Sequence, residues 1–284
     1  MMKSMKVEEL LAQYERGERN FGEVNLERAN LAGANLAGVQ FRRANLAGSN
    51  LQGTRLERAN LREANLLGSN LSGANLQEGN LIGSELSGAN LSGANLNDAN
   101  LRGAKLVEAT LQEADLSEAS INEADLTKAN LTRAILKEAN LIRSNLHWAC
   151  LHEAMLEWAN LTICVLNEAD LTQANLMKTS LNSASLTRAN LTQVDLSFAK
   201  LSGANLTQAN LTKAQLRAAN VSWATLRGAN LSGASMYRTN LNWSNLSGAN
   251  LTKAVLMNAR IANVNFRDAR LQGAMMPDGS AYQG

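Results

Sequence analysis

The chain has 284 residues, a formal net charge of +2 and an aromatic content of 4%. Such a balance excludes a strongly basic nucleic-acid binder, and the scarcity of rings excludes a core built on Phe, Trp and Tyr. No apolar run reaches the roughly 18 residues of a membrane span.

The opening MMKSMKVEELL has no apolar h-region followed by a small-residue cleavage site, so no signal peptide is expected. The two cysteines, Cys150 and Cys164, do not make a disulfide framework. Together these features predict reduced thiols and a cytoplasmic location. In chain order, Val7, Leu10, Leu11 and Tyr14 form one helical stripe, with Glu8 and Glu9 early, Arg16 late and Gly17 as a stop. A helix over about 5–16 is therefore expected within a capping segment, residues 1–20, that covers the start of the repetitive region beyond it.

From Phe21 to Met276 every fifth residue is Leu, Phe, Ile, Val or Met, at 52 consecutive positions. Two residues before each such centre, from Val24 to Ala274, stands a small residue, most often Ala. The residue before the centre is usually Asn, and the two after it vary and carry most of the charge. A period of five fits neither regular structure. On a helix, successive leucines would step by about 140° and smear around the axis. On a straight strand they would alternate between faces. The pattern works if each unit is a short extended segment followed by a bend of about 90°, so that four bends close a square and stacked coils pair in parallel. All 52 centres are then expected to be buried, and the N-terminal helix to lie over the first coil. Residues 277–284 form a tail, in which Pro277 lacks a backbone donor and Pro-Asp-Gly makes a turn.

The units AGANL, SGANL, TKANL and NEADL resemble the pentapeptide-repeat family. The resemblance implies an all-β fold for residues 21–276: a right-handed quadrilateral parallel β-helix of about 13 coils. The segments MKVEELLAQYERGERNF and GAMMPDGS are similar to the ends of cyanobacterial members, among them a regulator of heterocyst differentiation.

Chemistry is harder to place. A leucine-filled coil without inserted loops offers no pocket in which catalytic groups converge, so no enzyme, no cofactor and no metal are expected. His147, Cys150 and His152 cluster in sequence, but the two histidines project from successive faces. No GxxxxGK[ST] phosphate loop occurs, and the recurrent glycines occupy one turn position, where special backbone angles explain them.

Function is thus expected on the outer walls, where residues 20 apart stack in columns. One column reads Arg58, Glu78, Asp98, Glu118 and Glu138, then Trp158, Lys178, Phe198, Ala218 and Arg238. Its neighbours add Met155, Met177 and Tyr237. A wall with acids (Glu78, Asp98, Glu118, Glu138) early and an apolar patch (Met155, Trp158, Met177, Phe198, Tyr237) late is expected to bind a protein. A second face carries Arg42, Arg43, Arg62 and Arg102, with Trp223 above Trp243. The expectation is a monomeric scaffold with a protein partner and no direct contact with nucleic acid or membrane. The resemblance implies a role in heterocyst differentiation, with a transcriptional regulator as partner. The alternative is another branch of the family, whose members mimic DNA and bind a topoisomerase. That reading has only the acidic column in its favour.

Overall fold

A computed structural model describes residues 3–283. It forms two compact units, one ending at Asn140 and the other beginning at Leu141. Both are built from the same five-residue element. In each, the N–H of the residue three past a centre donates to that centre's carbonyl, as Ala34 does to Leu31 at 3.0 Å and Ala204 to Leu201 at 3.0 Å. The second residue after each centre from Phe21 to Leu271 lies in the left-handed region, with φ from +53° to +64° where it is not glycine. A closing hydrogen bond with positive φ at the third turn position marks a type II turn. Glycine is the natural occupant, yet Glu, Arg, Trp, Phe and even Ile163 adopt it here. The left-handed conformation costs a non-glycine residue roughly 1–2 kcal/mol. Its amide is tied into the ladder in compensation: the Glu63 N–H donates to Ile82 O at 2.9 Å.

Between turns the chain is extended for so few residues that pairing is confined to single parallel bridges. Asn30 bridges Asn50, Asn50 bridges Asn70 and Asn70 bridges Asn90; Asn190, Asn210, Asn230 and Asn250 repeat the pattern in the second unit. A partner always twenty residues on, after four turns, is how a β-helix stacks. The recurrent Asn of each unit has a local task. The Asn50 Oδ1 accepts the Gln52 N–H at 3.2 Å, and its side-chain amide donates to Asn30 Oδ1 at 3.0 Å. Asn thus braces its own turn and its neighbour twenty residues earlier.

The centres fill the interior. The leucines at the centres from Leu26 to Leu256 are 2% exposed or less. The small column is buried beside them, and its hydroxyls and thiol find carbonyls: Thr54 donates to Leu31 O, Thr239 to Leu216 O and Cys164 to Leu141 O. Burial pushes the Cys164 thiol up to about 12. The expectation that every centre is buried fails in the last coil. Ile261, Phe266, Leu271 and Met276 are only half-buried, because among the described residues no later coil covers them.

At the start, β1 (Lys3–Ser4) pairs in parallel with β2 (Val24–Asn25), and α1 runs Val7–Glu15. Lys6 is still extended, so the helix begins later than residue 5. Leu10 is fully buried, Leu11 and Tyr14 are half-buried, and the Tyr14 hydroxyl donates to Ala37 O at 2.8 Å. Gly17, at φ +97°, closes the helix by donating to Tyr14 O. At the far end the Pro277 carbonyl still accepts from Asn258 N–H, after which the chain reverses and Met275 bridges Ala281 antiparallel. No helix among the described residues is long and apolar enough to cross a membrane.

Candidate protein-binding site

Because the second residue after each centre points out from a type II turn, its side chain is exposed in most units. Trp158 is 60% and Phe198 47% exposed at this position, and Met155, just before its centre, is 40% exposed. Met177 and Tyr237, one residue after their centres, are half-buried. All five residues lie within the second unit.

The patch is not purely apolar. The Lys178 ammonium sits 4.2 Å from the centre of the Trp158 ring, and the Arg238 guanidinium 5.1 Å from that of Tyr237. Arg217 approaches Tyr237 from 5.9 Å. Aromatic faces hold these cations where carboxylates are absent. Among the described residues, Lys178, Arg217 and Arg238 form no ion pair.

In the first unit the four acids do not behave alike. Arg58 grips Glu78 through two hydrogen bonds, of 2.9 and 3.2 Å, and holds its carboxyl below the usual range. Asp98, Glu118 and Glu138 are exposed and, among the described residues, form no ion pair. The acidic run is therefore three residues long rather than four. Three of the four arginines of the second face are paired in place: Arg43 meets Glu63 at 2.6 Å, Arg62 meets Glu63 at 3.1 Å and Arg102 meets Glu123 at 3.3 Å.

The histidines have partners of their own. His147 Nδ1 lies 2.8 Å from Asn167 O, and His152 Nε2 lies 3.4 Å from Glu153. No group of three His, Cys, Asp or Glu converges among the described residues.

Exposed apolar residues outside the expected patch include Trp148, Ile163 and Val165. Trp148 and Ile163 occupy the same outward turn position as Trp158, so the column rule applied to every unit would have found them.

The family described as Pentapeptide repeats matches overlapping or adjoining stretches that together run from residue 20 to residue 273. The chain belongs to the pentapeptide-repeat family. Similar solved structures include HetL, a pentapeptide-repeat protein involved in heterocyst differentiation regulation from the cyanobacterium Nostoc sp. strain PCC 7120. It is 34% identical, with 98% of this chain and 100% of that one covered, at a TM-score of 0.35. QnrB1, a plasmid-mediated fluoroquinolone resistance protein, is 20% identical over 64% of this chain and 91% of its own, with a TM-score of 0.32. A second Nostoc pentapeptide-repeat protein is 36% identical over 40% of this chain and 84% of its own, at a TM-score of 0.20. No curated protein matches the chain by sequence.

Proposed function

We propose that this pentapeptide-repeat protein is a non-enzymatic scaffold that works by binding another protein. The observation that carries this reading is the exposure of Met155, Trp158 and Phe198, large apolar side chains on one unit whose leucine centres up to Leu256 are buried. Exposed aromatics held on a rigid backbone supply binding energy at little entropic cost, often through one or two hot spots. Met177 and Tyr237 extend the patch; Asp98, Glu118 and Glu138, in the first unit, form an exposed acidic run of their own whose charge suits steering a partner. The finer architecture we infer is a right-handed quadrilateral coil of twenty residues, about 13 of which the repeats from Phe21 to Met276 make up. The twenty-residue bridges support it.

The partner we propose is a protein of the heterocyst-differentiation machinery, a transcriptional regulator, met in the cytoplasm by a monomeric scaffold. This rests on the similarity of the segments at residues 5–21 and 273–280 to cyanobacterial members. A DNA mimic that binds topoisomerase is disfavoured by charge. Residues 141–284 hold twelve Lys or Arg against seven Asp or Glu, the reverse of what mimicry of a phosphate backbone needs.

The test is affinity capture from a cyanobacterial lysate with the wild-type chain and with Trp158→Ala plus Phe198→Ala, followed by identification and titration of the captured protein. The double variant should melt with the wild type and bind about 30-fold more weakly, corresponding to roughly 2 kcal/mol. Equal binding by both would move the site elsewhere. A captured topoisomerase would support the mimic.

A further inference from the structure

Two clefts fall at equivalent places in the repeat. One, of about 440 Å³, is lined by Gly38, Arg58 and Glu78, with Arg55 and Glu57 at its side. The other, of about 490 Å³, is lined by Ala218, Arg238 and Asn258, with Asn220, Asn240 and Arg260 completing it. Gly38 corresponds to Ala218, Arg58 to Arg238 and Glu78 to Asn258, each 180 residues later, a whole number of twenty-residue periods. The small residue makes the dent in both cases, since Gly38 and Ala218 put no long side chain into the outward column.

The chemistry of the two differs at one position. In the first unit Glu78 reaches Arg58 and binds it through both carboxylate oxygens, at 2.9 and 3.2 Å. Arg55 is likewise satisfied, 3.0 Å from Glu57. In the second unit Asn258 replaces the glutamate. No acidic side chain lines that cleft, and among the described residues neither Arg238 nor Arg260 forms an ion pair. Arg238, whose guanidinium lies 5.1 Å from the Tyr237 ring, thus lines an open dent together with Arg260 and the exposed Asn258, with Phe198 one ladder step before Ala218 in the same column.

We propose that the Arg238–Arg260 cleft is a receptor for a carboxylate of a partner polypeptide, an acidic segment whose neighbouring apolar side chain rests on Phe198. This rests on the proposed function and deepens it by stating the partner's chemistry. The Arg58–Glu78 pair shows that an arginine at this repeat position takes a carboxylate in bidentate fashion, the geometry that makes such pairs specific. The guanidinium groups and amide donate where a carboxylate only accepts. A nucleic acid fits less well: between Lys178 and Arg238 the outward column holds Phe198 and Ala218, so a phosphate chain would meet charge only at its ends. A polypeptide that alternates acidic and apolar side chains matches that order.

A short fluorescein-labelled peptide of Glu and Phe residues, with its Gln counterpart as control, is the probe. Fluorescence anisotropy at low salt should show the Glu peptide binding the wild-type chain and the Gln peptide failing to bind. Arg238→Gln with Arg260→Gln should weaken binding by about tenfold or more. Asn258→Glu, which recreates the Glu78 arrangement, should do the same by occupying Arg238 from within. All these side chains are exposed, so unchanged melting separates a lost site from lost folding. Binding unaffected by either variant, or no binding at all, overturns the proposal, as does tighter, equally Arg238-dependent binding of oligo(dT). The Trp158→Ala, Phe198→Ala capture experiment reads the scaffold function independently. Loss of the captured partner there, with no peptide binding here, would remove this cleft and leave that function standing.

Discussion

Trp223 and Trp243 lie face to face, with ring centroids 5.0 Å apart and planes within 2°. They are exposed side chains at the same turn position, twenty residues apart, so the stack is set by the spacing of the ladder. An aromatic pair contributes about 0.5–1.5 kcal/mol beyond its buried area. Trp223→Ala should lower stability by about 1 kcal/mol and remove the coupled-indole signal from the near-ultraviolet dichroism. A double-mutant cycle with Trp243→Ala that returns no coupling would show the stack to be idle.

The core is predicted to be sensitive at a single centre. Leu116 is 1% exposed, whereas Glu118 is exposed on the same turn. Leu116→Ala should cost about 3 kcal/mol, and Leu116→Asp more, because the charge has no partner inside. Glu118→Gln should stay within about 0.5 kcal/mol of wild type in urea unfolding.

Ile163 holds a β-branched side chain at φ +61°, where its N–H still donates to Asn182 O at 3.0 Å. Glycine adopts that conformation without the steric cost. Ile163→Gly should therefore stabilise the chain by about 1 kcal/mol, despite losing a half-exposed side chain. A lower melting temperature would mean that packing of Ile163 outweighs backbone strain.

Cys164 gives a pH dependence of known sign. Its folded pKa, about 12, lies above that of an unfolded thiol, about 8.5. The folded chain keeps a proton that the unfolded chain releases. The contribution is therefore complete below about pH 8.5 and is lost as pH rises toward 12, at about 1.4 kcal/mol per pH unit. Comparing urea unfolding of wild type and Cys164→Ala from about pH 8 to about pH 11 should isolate this slope. Parallel curves would mean that the thiol is hydrated in the fold.

Removing residues 1–18 takes away α1 and the strand that pairs with Val24–Asn25. An uncovered ladder edge invites pairing with another chain. The truncated protein should associate with rising concentration in sedimentation velocity. A monomer at high concentration would assign the segment another role.

Much of this protein follows from its sequence alone. The five-residue period allows only a chain that turns after every centre, so the buried leucines, the small column and the stacking of Trp223 with Trp243 were legible without coordinates. The helix at Val7–Glu15 was legible too, from its apolar stripe and Gly17. These are local or strictly periodic features, and periodicity turns sequence distance into spatial distance. Tertiary structure decided what depends on where long side chains reach and where stacking stops. Glu78 is consumed by Arg58, Lys178 folds onto Trp158, and Arg238 has no carboxylate because Asn258 stands where a glutamate would serve it. Ile261 and Phe266 carry the same centre signal as Leu116, yet they are half-buried because burial requires a covering coil. A repeat dictates the backbone of each unit, but charge pairing and burial belong to neighbours, and those exist only once the chain has coiled.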